Sequence, residues 1–203
     1  MLIVRHGEST WNAVRRWQGQ ADPPLSERGE NQATRGGIAA VDHGPFTAVA
    51  TSSLIRASRT AEIISDALDL QVVASLPGLA ERSAGEWEGL TRAEINSAYP
   101  GFLDEGRRPP GYESDESIVG RAGAALRQLA DQHGSETLLV VSHGGIIHAL
   151  ERAYSGDDGW QRLDNLTGRW FDVGADAIVP VGERIALVPD GGPAIPPPER
   201  GYA

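Results

Sequence analysis

The chain has 203 residues, 40% apolar and 23% charged, ordinary for a soluble globular domain long enough to bury one core. A net charge of −10 argues against nucleic acid as a partner, and no apolar run reaches membrane-spanning length or follows a basic leader, so a cytoplasmic protein is expected. Zero cysteines exclude disulfides and thiolate chemistry, and 18 basic residues that are all arginine exclude Schiff-base and phosphate-loop lysines.

Residues 2–5 read as a short buried strand that runs into Arg5-His6-Gly7. Residues 7–25 form a structured loop, and Ser26 is placed to cap a helix extending to about Val41, despite Gly29, Gly36 and Gly37. Each internal glycine costs such a helix about 1 kcal/mol relative to alanine. Phe46–Thr51 reads as a second strand, followed by a helix capped by Ser52 or Ser53 with Ala57, Ala61, Ile64 and Leu68 on one face. Gln71–Ser75 is a third, edge strand. Residues 77–113 are irregular apart from a short helix near Thr91–Tyr99, and a loop of that length suggests a lid. Ile118, Ala122, Ala125 and Leu129 mark another helix ending at Gly134, Leu138–Val141 a buried strand, and Gly145–Tyr154 a helix. Arg169–Val173 and Glu183–Val188 are late strands.

Alternating strands and helices predict an α/β fold, a three-layer α/β/α sandwich with a mostly parallel central sheet. One domain is expected over 1–188, with a Pro/Gly-rich tail over 189–203. In such a sheet ligands bind beyond the carboxyl ends of the parallel strands. Two strands end there in histidine–glycine turns, at His6 and at His143-Gly144-Gly145. An imidazole beside fixed guanidinium groups suits a phosphate ester.

Five ordered blocks then make the pattern specific: Arg5-His6-Gly7-Glu8-Ser9-Thr10-Trp11-Asn12, Gln18-Gly19-Gln20 through Gly29, Ser53 through Ala61 around Arg56, Leu79-Ala80-Glu81 with Gly85 through Leu90, and Val141-Ser142-His143-Gly144-Gly145. Together they resemble the histidine phosphatase superfamily, its phosphoglycerate-mutase-like branch. The resemblance implies a phosphoglycerate-mutase-like fold and a phosphoric monoester hydrolase of histidine acid phosphatase type. His6 would be the nucleophile and form a phosphohistidine, Glu81 would act as general acid and base, and His143, Arg5 and Arg56 would complete the catalytic set. Arg5, Asn12, Arg56, His143, Gly144, Gln18 and Gly19 would hold the phosphate.

The physical reading agrees. Phosphate monoester hydrolysis requires accelerations of up to about 10²¹-fold, and the loose transition state is stabilised mainly by positioning and charge. Guanidinium forks grip phosphoryl oxygens in pairs, and cationic neighbours disfavour a protonated His6. No cysteine–histidine cluster, His-Glu-x-x-His helix or Asp-x-Asp strand end appears, so neither a metal nor another cofactor is expected. The expected partner is a small phosphorylated metabolite, and the resemblance is compatible with a homodimer. Two other readings stand. A mutase primed by 2,3-bisphosphoglycerate is echoed by Arg107-Arg108-Pro109-Pro110, although the loop after Glu81-Arg82 lacks the histidine–tyrosine pair of resembling mutases. A phosphoprotein-binding module without catalysis is the third. Arg59 is expected in a salt bridge, His148 on a helix, His43 and His133 at helix ends, and Trp11, Trp17 and Trp87 in packing.

Overall fold

The computed structural model describes residues 1–134, 136–155 and 161–189. The tail expected from 189 onward lies, past Pro189, outside the described residues. In chain order the elements are β1 (Leu2–Arg5), α1 (Thr10–Ala13), α2 (Glu27–Ala40), β2 (Ala48–Ser52), α3 (Ile55–Leu68), β3 (Val72–Leu76), α4 (Arg92–Ala98), α5 (Asp115–His133), β4 (Leu138–Ser142), α6 (Gly144–Ser155), β5 (Thr167–Val173) and β6 (Ile178–Ala186).

All six strands join one sheet in the order β3-β2-β4-β1-β5-β6. The first four are parallel and β5 runs against both its neighbours, so the sheet is mixed at one end. Alternation along the strands decides which core each side chain enters. Leu2, Val4, Val49, Leu139 and Val141 face α3 and the end of α2 on one side. Ile3, Ala48, Ala50, Leu138 and Val140 face α5 and α6 on the other. The outcome is the three-layer α/β sandwich.

Ser26 caps α2 as expected, accepting from Gly29 N at 3.0 Å. Its glycines have a packing reason. A Cβ at Gly37 would lie 2.7 Å from Ala67 Cβ, one at Gly36 2.8 Å from Leu166 Cδ1, and one at Gly29 would overlap the Glu8 carbonyl oxygen. Close approach thus outweighs the local cost of glycine in a helix.

The cap of α3 differs from expectation. Its N-cap is Leu54 and no side chain of Ser52 or Ser53 caps from that position. Instead Asp22 reaches across from the α1–α2 loop and accepts from Ile55 N at 2.7 Å. Ser52 completes β2, and its hydroxyl accepts from Leu54 N at 3.2 Å and faces His143. The segment 77–113 carries packing of its own. Trp87, fully buried, is ringed by Trp17, Tyr99 and Tyr112 at centroid distances of 5.1, 6.3 and 5.9 Å, with Ile95 and Leu103 beside it. The excursion holds a small aromatic core of its own.

Candidate active site

Strand register builds the site. Arg5 pairs with Ser142 and Thr51 with Val141, so the carboxyl ends of β1, β4 and β2 finish level. The next residues of β1 and β4 are His6 and His143, whose rings stand 5.1 Å apart, edge to face. Both are buried, and so is Arg56 in the first turn of α3.

His6 is held from three sides. Its Nδ1 lies 2.6 Å from Gly7 O, its backbone carbonyl accepts from Asn165 Nδ2 at 2.8 Å, and Gly7 N donates to Thr60 Oγ1 at 3.1 Å. A carbonyl only accepts, so Nδ1 carries the ring hydrogen and Nε2 keeps its lone pair. Arg56 Nε donates to that Nε2 at 3.2 Å. Burial, then Arg56 and Arg5, push the His6 imidazole well below its ordinary pKa of 6.5. It is a neutral base beside two cations.

Arg56 also donates from Nη1 to Ala21 O at 2.8 Å and from Nη2 to Gly19 O at 2.9 Å. The guanidinium has further N–H groups beyond these three. The Asp22 carboxylate lies 4.0 Å from its Nη1. Arg5 donates from Nη1 to Leu163 O at 2.5 Å, which fixes its side chain along the β4–β1 edge. Burial pulls both guanidinium groups below their ordinary value. His143 is likewise pushed well below 6.5, by burial first and then by Arg56, His6 and Arg5. Its Nε2 lies 2.8 Å from Ser52 Oγ, and its Nδ1 is buried with no partner.

Glu81 approaches from the segment after β3. Its Oε1 accepts from Arg82 N at 2.7 Å and its Oε2 from Gly145 N at 3.3 Å, which ties it to the first turn of α6. Arg121 of α5 pins the loop by donating to Ala80 O at 2.6 Å and Glu81 O at 3.0 Å. A carboxylate, two histidines, two guanidinium groups and the start of α6 therefore share one sheet edge.

The other expected phosphate ligands have additional tasks. Asn12 Oδ1 accepts from Ser9 N at 3.2 Å in the capping box of α1, and Gln18 Oε1 accepts from Ser9 Oγ at 2.5 Å. Gly19 presents its carbonyl to Arg56, and Gly144 lies against the Arg5 side chain. Arg107 pairs with Glu105 at 2.7 Å and lies over Phe102, while Arg108 lies over the Tyr112 and Trp87 rings. Arg59 bridges Glu30 and Glu62, as expected. His148 is held by Arg184 and Glu151 on α6, and His133 ends α5 beside Glu136. His43 ends a 3-10 turn. Sequence reasoning missed Ser52, Asn165, Thr60 and Arg121. Only Thr60 had a signal, standing four residues after Arg56 on the same helix face. Among the described residues no three His, Asp or Glu side chains form a metal-binding group, and no helix there is long and apolar enough to cross a membrane.

This fold and this edge define an α/β protein with two buried histidines and two arginines gathered at the carboxyl end of its parallel strands. The chain belongs to the histidine phosphatase superfamily, branch 1, whose family model matches residues 1–171. It is 36% identical over 158 residues to the uncharacterized phosphatase PhoE of Bacillus subtilis, covering 78% of each chain. It is 35% identical to the metal-independent phosphoserine phosphatase of Arabidopsis thaliana, covering 74% of this chain and 66% of the relative. Identity to the probable phosphoglycerate mutase GpmB of Escherichia coli is 37%, over 79% of this chain and 76% of the relative. Among solved structures, a mycobacterial glucosyl-3-phosphoglycerate phosphatase bound to VO3 superposes with a TM-score of 0.69 at 31% identity, over 75% of this chain and 80% of that one.

Proposed function

We propose that this chain is a metal-independent phosphomonoesterase that works through a phosphohistidine on His6 and acts on a small phosphorylated metabolite. The observation that carries this reading is the His6 tautomer. Gly7 O holds the hydrogen on Nδ1, so the Nε2 lone pair faces the guanidinium of Arg56.

In the first step Nε2 attacks phosphorus and the bond to the ester oxygen breaks. Arg5, Arg56 and His143 meet the phosphoryl oxygens, and Glu81 gives a proton to the leaving oxygen. In the second step Glu81 takes a proton from water, which attacks phosphorus and frees Nε2. One charged contact at about 4 Å is of order 4 kcal/mol at a protein-like dielectric, before desolvation. Two guanidinium groups thus offset a large part of a dianion's charge. Similarity to proteins named phosphoserine phosphatase and glucosyl-3-phosphoglycerate phosphatase supports hydrolysis.

Mutase chemistry is the second reading, favoured by similarity to GpmB. Against it, Arg82 is ion-paired with Asp115 at 2.5 Å, and Arg107 with Glu105. Purified protein, with and without chelator, is tested on a panel of small phosphate esters and on 3-phosphoglycerate plus 2,3-bisphosphoglycerate. Phosphate release unaffected by chelator is expected. Transfer between glycerate positions faster than release would establish the mutase, and a metal requirement would overturn the mechanism.

A further inference from the structure

Ser52 ends β2 with its side chain fully buried. Its Oγ has two partners. It accepts from Leu54 N at 3.2 Å, and it stands 2.8 Å from His143 Nε2. A hydroxyl has one proton to give. If His143 donated from Nε2 to Oγ, the Ser52 proton would have no acceptor among the described residues, and the Nδ1 lone pair would also be orphaned. Each buried orphan is destabilising, because it gives up its bond to water and gains none. If Ser52 donates to Nε2, the hydroxyl and Nε2 are both satisfied and only one group is left over, an N–H on Nδ1. That group is buried without a protein partner, on a ring beside Arg5, Arg56 and His6. Among two cations an anion is the natural visitor, and an N–H receives an anion where a lone pair repels it.

We infer that Ser52 is a positioning residue that fixes His143 in the Nδ1–H tautomer, so that His143 meets the bound anion as a hydrogen-bond donor. His6 holds the same tautomer, through Gly7 O, but its Nε2 lone pair accepts from Arg56 Nε, not from a hydroxyl. The two buried histidines therefore offer different edges. His6 has its ring proton held by Gly7 O and keeps on Nε2 a lone pair, met by the Arg56 N–H, with which it attacks once Arg56 turns to the anion. His143 has its lone pair occupied by the Ser52 proton and can only donate. The tautomer assignment rests on the proposed phosphatase reading only for the identity of the anion.

The test is the nitrogen-15 NMR spectrum of the ligand-free protein labelled in histidine, at a pH where the imidazoles are neutral, with His143→Gln used to assign the resonances. Wild type is expected to show His143 protonated on Nδ1 and bare on Nε2. Ser52→Ala is expected to mix the tautomers and lower kcat about tenfold, less than the 10²–10³ typical of removing a donor outright. Ser52→Thr, which keeps the hydroxyl, is expected to restore both. A protonated Nε2 in wild type overturns the inference, and so does a Ser52→Ala protein with tautomer and kcat unchanged. The wild-type spectrum decides even where Ser52→Ala does not fold. An Nδ1–H tautomer in a protein that hydrolyses no phosphate ester would leave this assignment standing and remove the phosphatase reading.

Discussion

Arg56 shows how much of the site depends on single side chains. Its charge is fully buried, yet it is met by two carbonyls and an imidazole, with Asp22 only at 4.0 Å. A guanidinium stays charged in such a place, and on the proposed reading a bound phosphoryl group would add to the countercharge of Glu81 and Asp22. On the proposed reading Arg56→Ala removes a phosphate ligand together with the donor on His6 Nε2. A loss of about 10²–10³ in kcat/KM is expected in steady-state assays, and Arg56→Lys should not rescue it, because an ammonium cannot reproduce the fork. Wild-type kcat/KM in either variant would take Arg56 out of the chemistry. At this scale the sequence was readable where chemistry sits in short contiguous motifs beside strand ends, as for Arg5-His6 and His143-Gly144. It was unreadable where partners are distant. Ser52 and His143 are 91 positions apart, Asn165 and His6 159, and Arg121 and Glu81 40. No local pattern marks such pairs.

Periodicity located most of the elements, because apolar spacing reports which face of a helix or strand is buried. It said nothing of the reversed direction of β5, which depends on pairing with β1. It also placed the α3 cap on the wrong residue, since the carboxylate that caps it comes from 33 positions away. The segment 77–113 suggested a lid by its length alone; its aromatic residues follow no helical or strand period and find one another only in three dimensions. Contact between elements also explains the glycines of α2. Gly29 packs on the Glu8 carbonyl, and a Cβ at Gly7 would in turn clash with Gly29 backbone. The loop that orients His6 is thereby seated on α2. Gly29→Ala is expected to cost about 1–3 kcal/mol by overpacking and to lower kcat, measured by denaturant unfolding and turnover. Unaltered stability would show that this contact yields freely.

For the whole molecule, three buried or half-buried histidines stay neutral when folded. His6 and His143 are pushed well below 6.5, and His148 to about 4, each chiefly by burial and then by neighbouring arginines. The unfolded chain takes up protons near 6.5, where the folded chain does not. Their contribution to stability is therefore complete above that pH and is lost as pH falls through the range from about 6.5 towards 4, at up to about 1.4 kcal/mol per pH unit for each histidine. Glu151, held below its ordinary value by Arg184 and Arg169 against the opposing effect of burial, adds to the loss at still lower pH. Urea midpoints at pH 8, 6 and 5 should fall in that order, and equal midpoints would contradict neutral buried histidines.

The central claim is that His6 Nε2 carries the phosphoryl group during turnover. It is tested most directly by rapid quench of the protein mixed with a slowly hydrolysed phosphate ester, followed by mass-spectrometric mapping under alkaline conditions, where phosphohistidine survives. The expected result is one phosphoryl group on His6, formed and lost at rates that account for kcat and absent from His6→Ala. A phosphoryl group on His143, or turnover without any covalent phosphoryl-protein, would contradict it.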